Sequence, residues 1–227
     1  MARQLTFDLP VRTARGRGDF YISPANASAV HLIDSDWPGG RMVLIGPAGS
    51  GKSHLAQVWA DDHGANIVEA TELAGSLEHW LTQAEGPLVV ENVHDVAGNT
   101  AKEEALFHLL NAQAGQGGRL LLTSGIETSA MGLTLPDLAS RLEGSVSARL
   151  DAPDDALLAA LFVKHFADRQ LDVSPDLIAF LVARAERSFD GVRMIVDKLD
   201  AISLAERKPV TRRMAARLLD NPGGIDA

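Results

Sequence analysis

Gly46-Pro47-Ala48-Gly49-Ser50-Gly51-Lys52-Ser53 matches the pattern G-x-x-x-x-G-K-[ST] at every fixed position. The apolar run Met42-Val43-Leu44-Ile45 comes directly before it and a helical pattern directly after it. This order demands a buried strand, a tight loop and a helix in succession. The glycines let the backbone curl so that successive N–H groups point inward at phosphate oxygens. The helix that begins near Lys52 adds its positive N-terminal end. Lys52 then reaches the β- and γ-phosphates, and the Ser53 hydroxyl is a magnesium ligand. The motif implies a nucleoside phosphate and leaves open what the nucleotide is used for.

The rest of the chain supplies the fold that such a loop needs. Short apolar runs recur at Asn66-Ile67-Val68-Glu69, Pro87-Leu88-Val89-Val90-Glu91 and Arg119-Leu120-Leu121-Leu122-Thr123, with an alternating run over 145–150. Helical patterns over 52–62, 73–84 and 100–114 separate them. Continuous apolar strands divided by helices predict an α/β fold with a parallel sheet covered on both faces. After Asp151-Ala152-Pro153 the strand signal ends. Leu157, Leu158, Leu161 and Phe162, then Leu177, Ile178, Leu181 and Val182, then Val192, Ile195, Val196 and Leu199, each fall on one helical face. Met214, Leu218 and Leu219 mark a shorter fourth helix. The expected organisation is a short apolar-polar peptide and flexible tether over 1–18, a nucleotide-binding core over 19–151 and a helical lid over 152–227.

Composition excludes several functions. There is no cysteine, hence no disulfide and no thiolate nucleophile or zinc–thiolate site. Thirty acids against 21 Lys and Arg give a charge of −9, which argues against a sequence-independent grip on DNA. Neither a secretory leader nor a membrane-length apolar run is read, so a cytoplasmic protein is expected. Seven scattered histidines form no compact ligand set. Lys208, Arg212, Arg213 and Arg217 make a basic patch that reads best as a solvated helix face.

P-loop proteins need a carboxylate at the tip of a neighbouring strand to orient magnesium. Here Leu88-Val89-Val90 ends in Glu91-Asn92. Glu91 takes the metal-orienting place. Asn92 takes the place of the acid that prepares the attacking water. An amide holds a water but cannot accept its proton. Slow intrinsic hydrolysis is the expectation.

The loop, the acidic strand end and the helical tail together resemble an AAA+ ATPase. More narrowly, the chain is similar to the DnaA-related adaptors of the Hda (HdaA) family, over nearly its whole length. The resemblance implies a five-stranded parallel sheet of order 5-1-4-3-2 with a small C-terminal helical lid. It implies ATP or ADP with Mg2+, held by residues 46–53 (Gly46, Pro47, Ala48, Gly49, Ser50, Gly51, Lys52, Ser53), by His54, and by Tyr21 and Ile22 at the adenine. Gln4-Leu5-Thr6-Phe7-Asp8-Leu9 is similar to a sliding-clamp-binding peptide, with Gln4, Leu5, Phe7 and Leu9 as its contacts. Thr123-Ser124 resembles the sensor 1 position. Ser124 is the catalytic candidate, though strand alternation leaves Thr123 open. Leu135-Pro136-Asp137-Leu138-Ala139-Ser140-Arg141-Leu142 resembles box VII, which makes Arg141 an arginine finger acting on a partner's nucleotide. An ordinary helical pair with Asp137 is the other reading of Arg141. Phe189-Asp190-Gly191-Val192-Arg193 resembles sensor 2, with Arg193 at the phosphates.

The implied activity is negative regulation of DNA replication initiation: stimulation of hydrolysis of DnaA-bound ATP, in trans. The implied partners are DnaA and the DNA polymerase III sliding clamp (its β subunit), with DNA met only through the clamp. Self-association stays open, and no membrane is involved. Two features depart from DnaA. Glu91-Asn92 replaces its two acids, and the lid takes up nearly all of the sequence after the boundary, leaving no room for an origin-binding domain. The alternatives are a self-contained AAA+ ATPase of helicase-loader type, a small-molecule kinase and a non-catalytic, nucleotide-dependent interaction protein.

Overall fold

In the computed structural model, residues 21–220 are described. The clamp-binding candidates Gln4, Leu5, Phe7 and Leu9 and the tether lie outside them.

Five strands form one parallel sheet: β1 (Arg41–Ile45), β2 (Asn66–Glu69), β3 (Leu88–Glu91), β4 (Leu120–Ser124) and β5 (Val146–Arg149). Their order is β2-β3-β4-β1-β5, the order that the AAA+ resemblance implies. The central strands β1, β3 and β4 are buried almost throughout. That explains why their sequences are continuous apolar runs rather than alternating ones.

Side chains of β1 alternate between the two faces. Val43 and Ile45 join a core with α3 (Leu73–Thr82), α4 (Thr100–Gln116) and α5 (Pro136–Glu143). Met42 and Leu44 join a second core with α1 (Ala27–Ile33) and α2 (Lys52–His63), built around the fully buried Trp59. The sequence carried no expectation for α1. Its seven residues give less than two turns, and Asn26 makes no side-chain cap to it.

The tail folds as α6 (Asp155–Asp168), α7 (Pro175–Val182), α8 (Phe189–Glu206) and α9 (Arg212–Asp220) around a third core of its own, centred on Phe162 and Phe166. Asp154, Ser174 and Ser188 each cap the helix that follows, accepting from a backbone N–H three residues on. Among the described residues no helix is long and apolar enough to cross a membrane.

Candidate functional site

β1 delivers the chain into the loop at Gly46, where a Cβ would stand 2.3 Å from the Leu150 carbonyl oxygen. Gly49 and Gly51 have φ of +69° and +93°, backbone that L side chains rarely adopt. Gly51 starts α2 without a side-chain cap, leaving the first N–H groups of that helix to face the loop. The Lys52 ammonium is buried and donates to the carbonyls of Gly46 (2.7 Å) and Pro47 (2.8 Å). Burial lowers its pKa, and the nearby Glu91 carboxylate pulls the other way. Ser50 Oγ is buried in the loop with no hydrogen-bond partner. These features fit a phosphate group: an inward-curled backbone, a cation and an orphan hydroxyl.

The acidic strand end meets the loop. The Glu91 carboxylate hydrogen-bonds with the Ser53 side chain, so the two magnesium candidates are neighbours. Burial raises the Glu91 pKa, the Ser53 bond opposes this, Glu69 adds to it and Lys52 lowers it. Divalent magnesium suits this pair, because it favours hard oxygen ligands and would compensate the buried carboxylate.

Asn92 sits in the left-handed region at φ 56°. Its N–H donates to Thr123 Oγ1 (3.0 Å) and its Nδ2 donates to Glu69 Oε2 (3.0 Å). The amide is therefore pinned, with Oδ1 left as its acceptor. Gly125 N–H donates to His94 Nδ1 (3.1 Å), tying the turn after β3 to the end of β4. The sequence reading missed Glu69 and passed over His94. The available signal for Glu69 was a β2 run that ends, like β3, in an acid; the register pairs Glu69 with Glu91.

Both sensor 1 hydroxyls are buried and engaged. Thr123 faces Asn92. Ser124 Oγ donates to Ile126 O and accepts from Ile126 N–H, so it is committed to its own turn.

The lid touches the loop through the start of α8. Phe189 N–H donates to Gly49 O (3.0 Å), and the Phe189 ring lies 6.2 Å from that of His54, between centroids. Tyr21 packs against the lid core, while Ile22 is exposed. Arg193, one turn beyond Phe189, is exposed and pairs with Asp190 at 3.1 Å. The basic patch is partly neutralised: Arg212 pairs with Asp176, and Arg217 with Glu206.

Arg141 belongs to the opposite end of the sheet. It lies in the last turn of α5, just before β5, whose first residue Val146 pairs with Met42. Its guanidinium stands 5.4 Å over the Phe107 ring, close enough to Arg41 to lower that residue's pKa. Among the described residues no carboxylate pairs with it, so the helical pair with Asp137 is not formed. The P-loop follows Ile45, about 13 Å further along β1 at ~3.3 Å per residue.

No protein-family model matches the chain. DnaA of Caulobacter vibrioides is 26% identical over 222 residues, covering 85% of this chain and 45% of that protein. The chain thus spans about half the length of the curated relatives that it matches. Domain III of the Thermotoga maritima replication initiation protein DnaA superposes with a TM-score of 0.79 at 19% identity, over 93% of this chain and 98% of that one. AMPPCP-bound DnaA from Aquifex aeolicus gives 0.65 at 17% identity, over 83% and 68%. The fold is that of these AAA+ domains, and the sequence is similar to that of DnaA.

Proposed function

We propose that this chain is a nucleotide-bound regulator of replication initiation that makes DnaA hydrolyse its ATP. Residues 46–53 hold ATP or ADP, with Tyr21, Ile22 and His54 around the nucleotide and Arg193 at its phosphates. Ser53 and Glu91 hold Mg2+, which supplies charge neutralisation between the phosphates. Lys52 exchanges its two loop carbonyls for phosphate oxygens. Asn92, through its Oδ1, is the group assigned to the attacking water at the chain's own site, and Ser124 joins it only by giving up its bonds to Ile126. That site turns over slowly, because a pinned amide orients a water but takes no proton from it. Gln4, Leu5, Phe7 and Leu9 dock on the sliding clamp, which brings the chain to DNA without a DNA-binding surface of its own.

One observation carries this reading: the position of Arg141. A guanidinium with no carboxylate partner, toward the far end of β1 from the P-loop, is of no use to the chain's own nucleotide. It suits a phosphoryl group held by a neighbouring AAA+ subunit, where it stabilises transition-state charge. The similarity to DnaA supports DnaA as that neighbour.

The test is hydrolysis of DnaA-bound ATP with DNA-loaded clamp, comparing wild type, Arg141→Ala and Gln4→Ala. The expected result is acceleration by wild type that falls by about 1,000-fold in Arg141→Ala, the lower edge of the roughly 10³–10⁵ worth of an arginine finger. Gln4→Ala should lose it only at low protein concentration, where tethering matters. Absence of acceleration by nucleotide-loaded wild type would sink the reading.

A further inference from the structure

Arg41, the first residue of β1, has an arrangement that folding alone does not account for. Its parity in the strand is that of Val43 and Ile45, so its side chain leaves the sheet on the face that α4 and α5 cover. Its Nε is buried and has no hydrogen-bond partner. Its guanidinium runs beside Gly39, where a Cβ would lie 3.7 Å from one terminal nitrogen. Arg41 precedes Met42, which pairs with Val146 at the start of β5, and α5 ends just before β5 with Arg141 in its last turn, so the two arginines share one end of the sheet. Burial, and then the charge of Arg141, lower the Arg41 pKa.

The contrast with Arg119, at the start of the adjacent β4, is informative. Arg119 stacks 4.2 Å over Trp37 and donates to Ser35 O at 3.1 Å. Its donors and its charge are used within the fold. Those of Arg41 are not. A half-buried cation with an orphan donor and a like-charged neighbour is destabilising on every count. Such a pair becomes favourable when an anion bridges it, and a polyphosphate matches two planar guanidiniums well.

We propose that Arg41 is a second phosphate-binding arginine beside Arg141, so that the two guanidiniums together grip the nucleoside triphosphate held by the neighbouring AAA+ subunit. This rests on the trans reading of Arg141 and extends it. In the reaction a water oxygen bonds to the γ-phosphorus as the β–γ bridging P–O bond breaks. The bridging oxygen keeps the electron pair and leaves on the diphosphate, and the water protons pass to solvent and phosphate. The arginines move no proton. Their work is to bind the three γ-oxygens and the bridging oxygen as charge accumulates there.

The experiment compares Arg41→Met, Arg41→Lys and Arg141→Ala in the assay of DnaA-bound ATP hydrolysis, with thermal melting and affinity for ADP measured on each. Arg41→Met should cut the stimulation 10- to 100-fold, leave ADP affinity within twofold and raise Tm, because the orphan Nε and the like-charge contact are gone. Arg41→Lys should keep part of the stimulation as a point charge. A residue with a merely structural role would lower stimulation and Tm together, and that outcome overturns the proposal. Full stimulation by Arg41→Met alongside failure of Arg141→Ala overturns it while leaving the single-finger reading standing. A wild type without stimulation removes both.

Discussion

The Glu103 carboxylate is fully buried in α4 and accepts from Gly98 N–H (2.8 Å), Thr134 N–H (2.9 Å), Thr134 Oγ1 (2.9 Å) and Leu135 N–H (2.8 Å). Leu135 is the residue from which α5 starts, so this carboxylate fixes the helix that carries Arg141. Burial pushes its pKa up, but the donors from Thr134, Leu135 and Gly98 outweigh that and hold it below the ordinary value. A carboxyl with a lowered folded pKa contributes stability above its unfolded value, near 4.3, and loses it as pH falls through the folded one. Glu103→Gln should therefore cost about 2 kcal/mol at pH 7, or roughly 4–8 °C in Tm. The gap to wild type should close as melts are repeated from pH 5 toward pH 2; a gap constant with pH would refute the ionised role. Little in the local sequence marks Glu103, since only Gly98 is near it in the chain and its other partners, Thr134 and Leu135, are 31 and 32 residues away. Glu69 and Arg41 escaped notice for the same reason. Their meaning comes from which strand lies beside which, and hydrophobic periodicity does not contain that. Lys52, Ser53 and Glu91 were legible because the loop places the first two in consecutive positions and an apolar run announces the third.

At the scale of elements, the strands could be read to within a residue or two because the central ones are continuous apolar runs bounded by polar or turn residues, and the edge strand β5 alternates. The N-terminal end of β3 differs from the reading in that Pro87, lacking an N–H, stays outside the ladder. What periodicity could not supply is the seating of α8 on the P-loop. A Cβ at Gly51 would stand 2.8 Å from the Phe189 ring, and one at Gly49 would stand 2.3 Å from Ser188 Cβ. Glycine at 49 and 51 thus serves two needs, a left-handed turn and an opening into which the lid settles. Gly51→Ala should lower nucleotide affinity and loosen the lid together. Phe189→Ala in the same chain should relieve the steric part and leave the backbone strain. A double-mutant cycle on ADP affinity should then give a coupling on the order of 1 kcal/mol between the two positions. Additive effects would mean that the lid does not bear on the loop when nucleotide is bound.

Across the whole molecule, the P-loop and Arg141 lie toward opposite ends of the five-residue strand β1, the loop directly after Ile45 and Arg141 on α5 near Arg41. β1 is hydrogen-bonded on both sides, to β4 and to β5, and its core positions are fully buried. Such a strand has little freedom to deform, so one end transmits to the other mainly as a rigid body. On the proposed reading, the chain's nucleotide acts on the partner by setting the lid and the loop, and the end of the sheet that carries Arg141 keeps its shape with or without it. This makes the two functions separable in one direction only. Arg141→Ala should leave ADP affinity within twofold of wild type, because no described contact joins it to the loop. Lys52→Ala should weaken nucleotide binding by about 100-fold, as expected for losing a charge-assisted contact of ~3 kcal/mol. It should also lower DnaA-ATP hydrolysis at nucleotide concentrations below its new Kd, with recovery as ADP is raised. Recovery at saturating ADP would identify the lid-side nucleotide as a conformational ligand and Arg141 as the group that acts on the partner. A Lys52→Ala chain that stimulates normally without nucleotide would instead show that the P-loop is dispensable to the regulator.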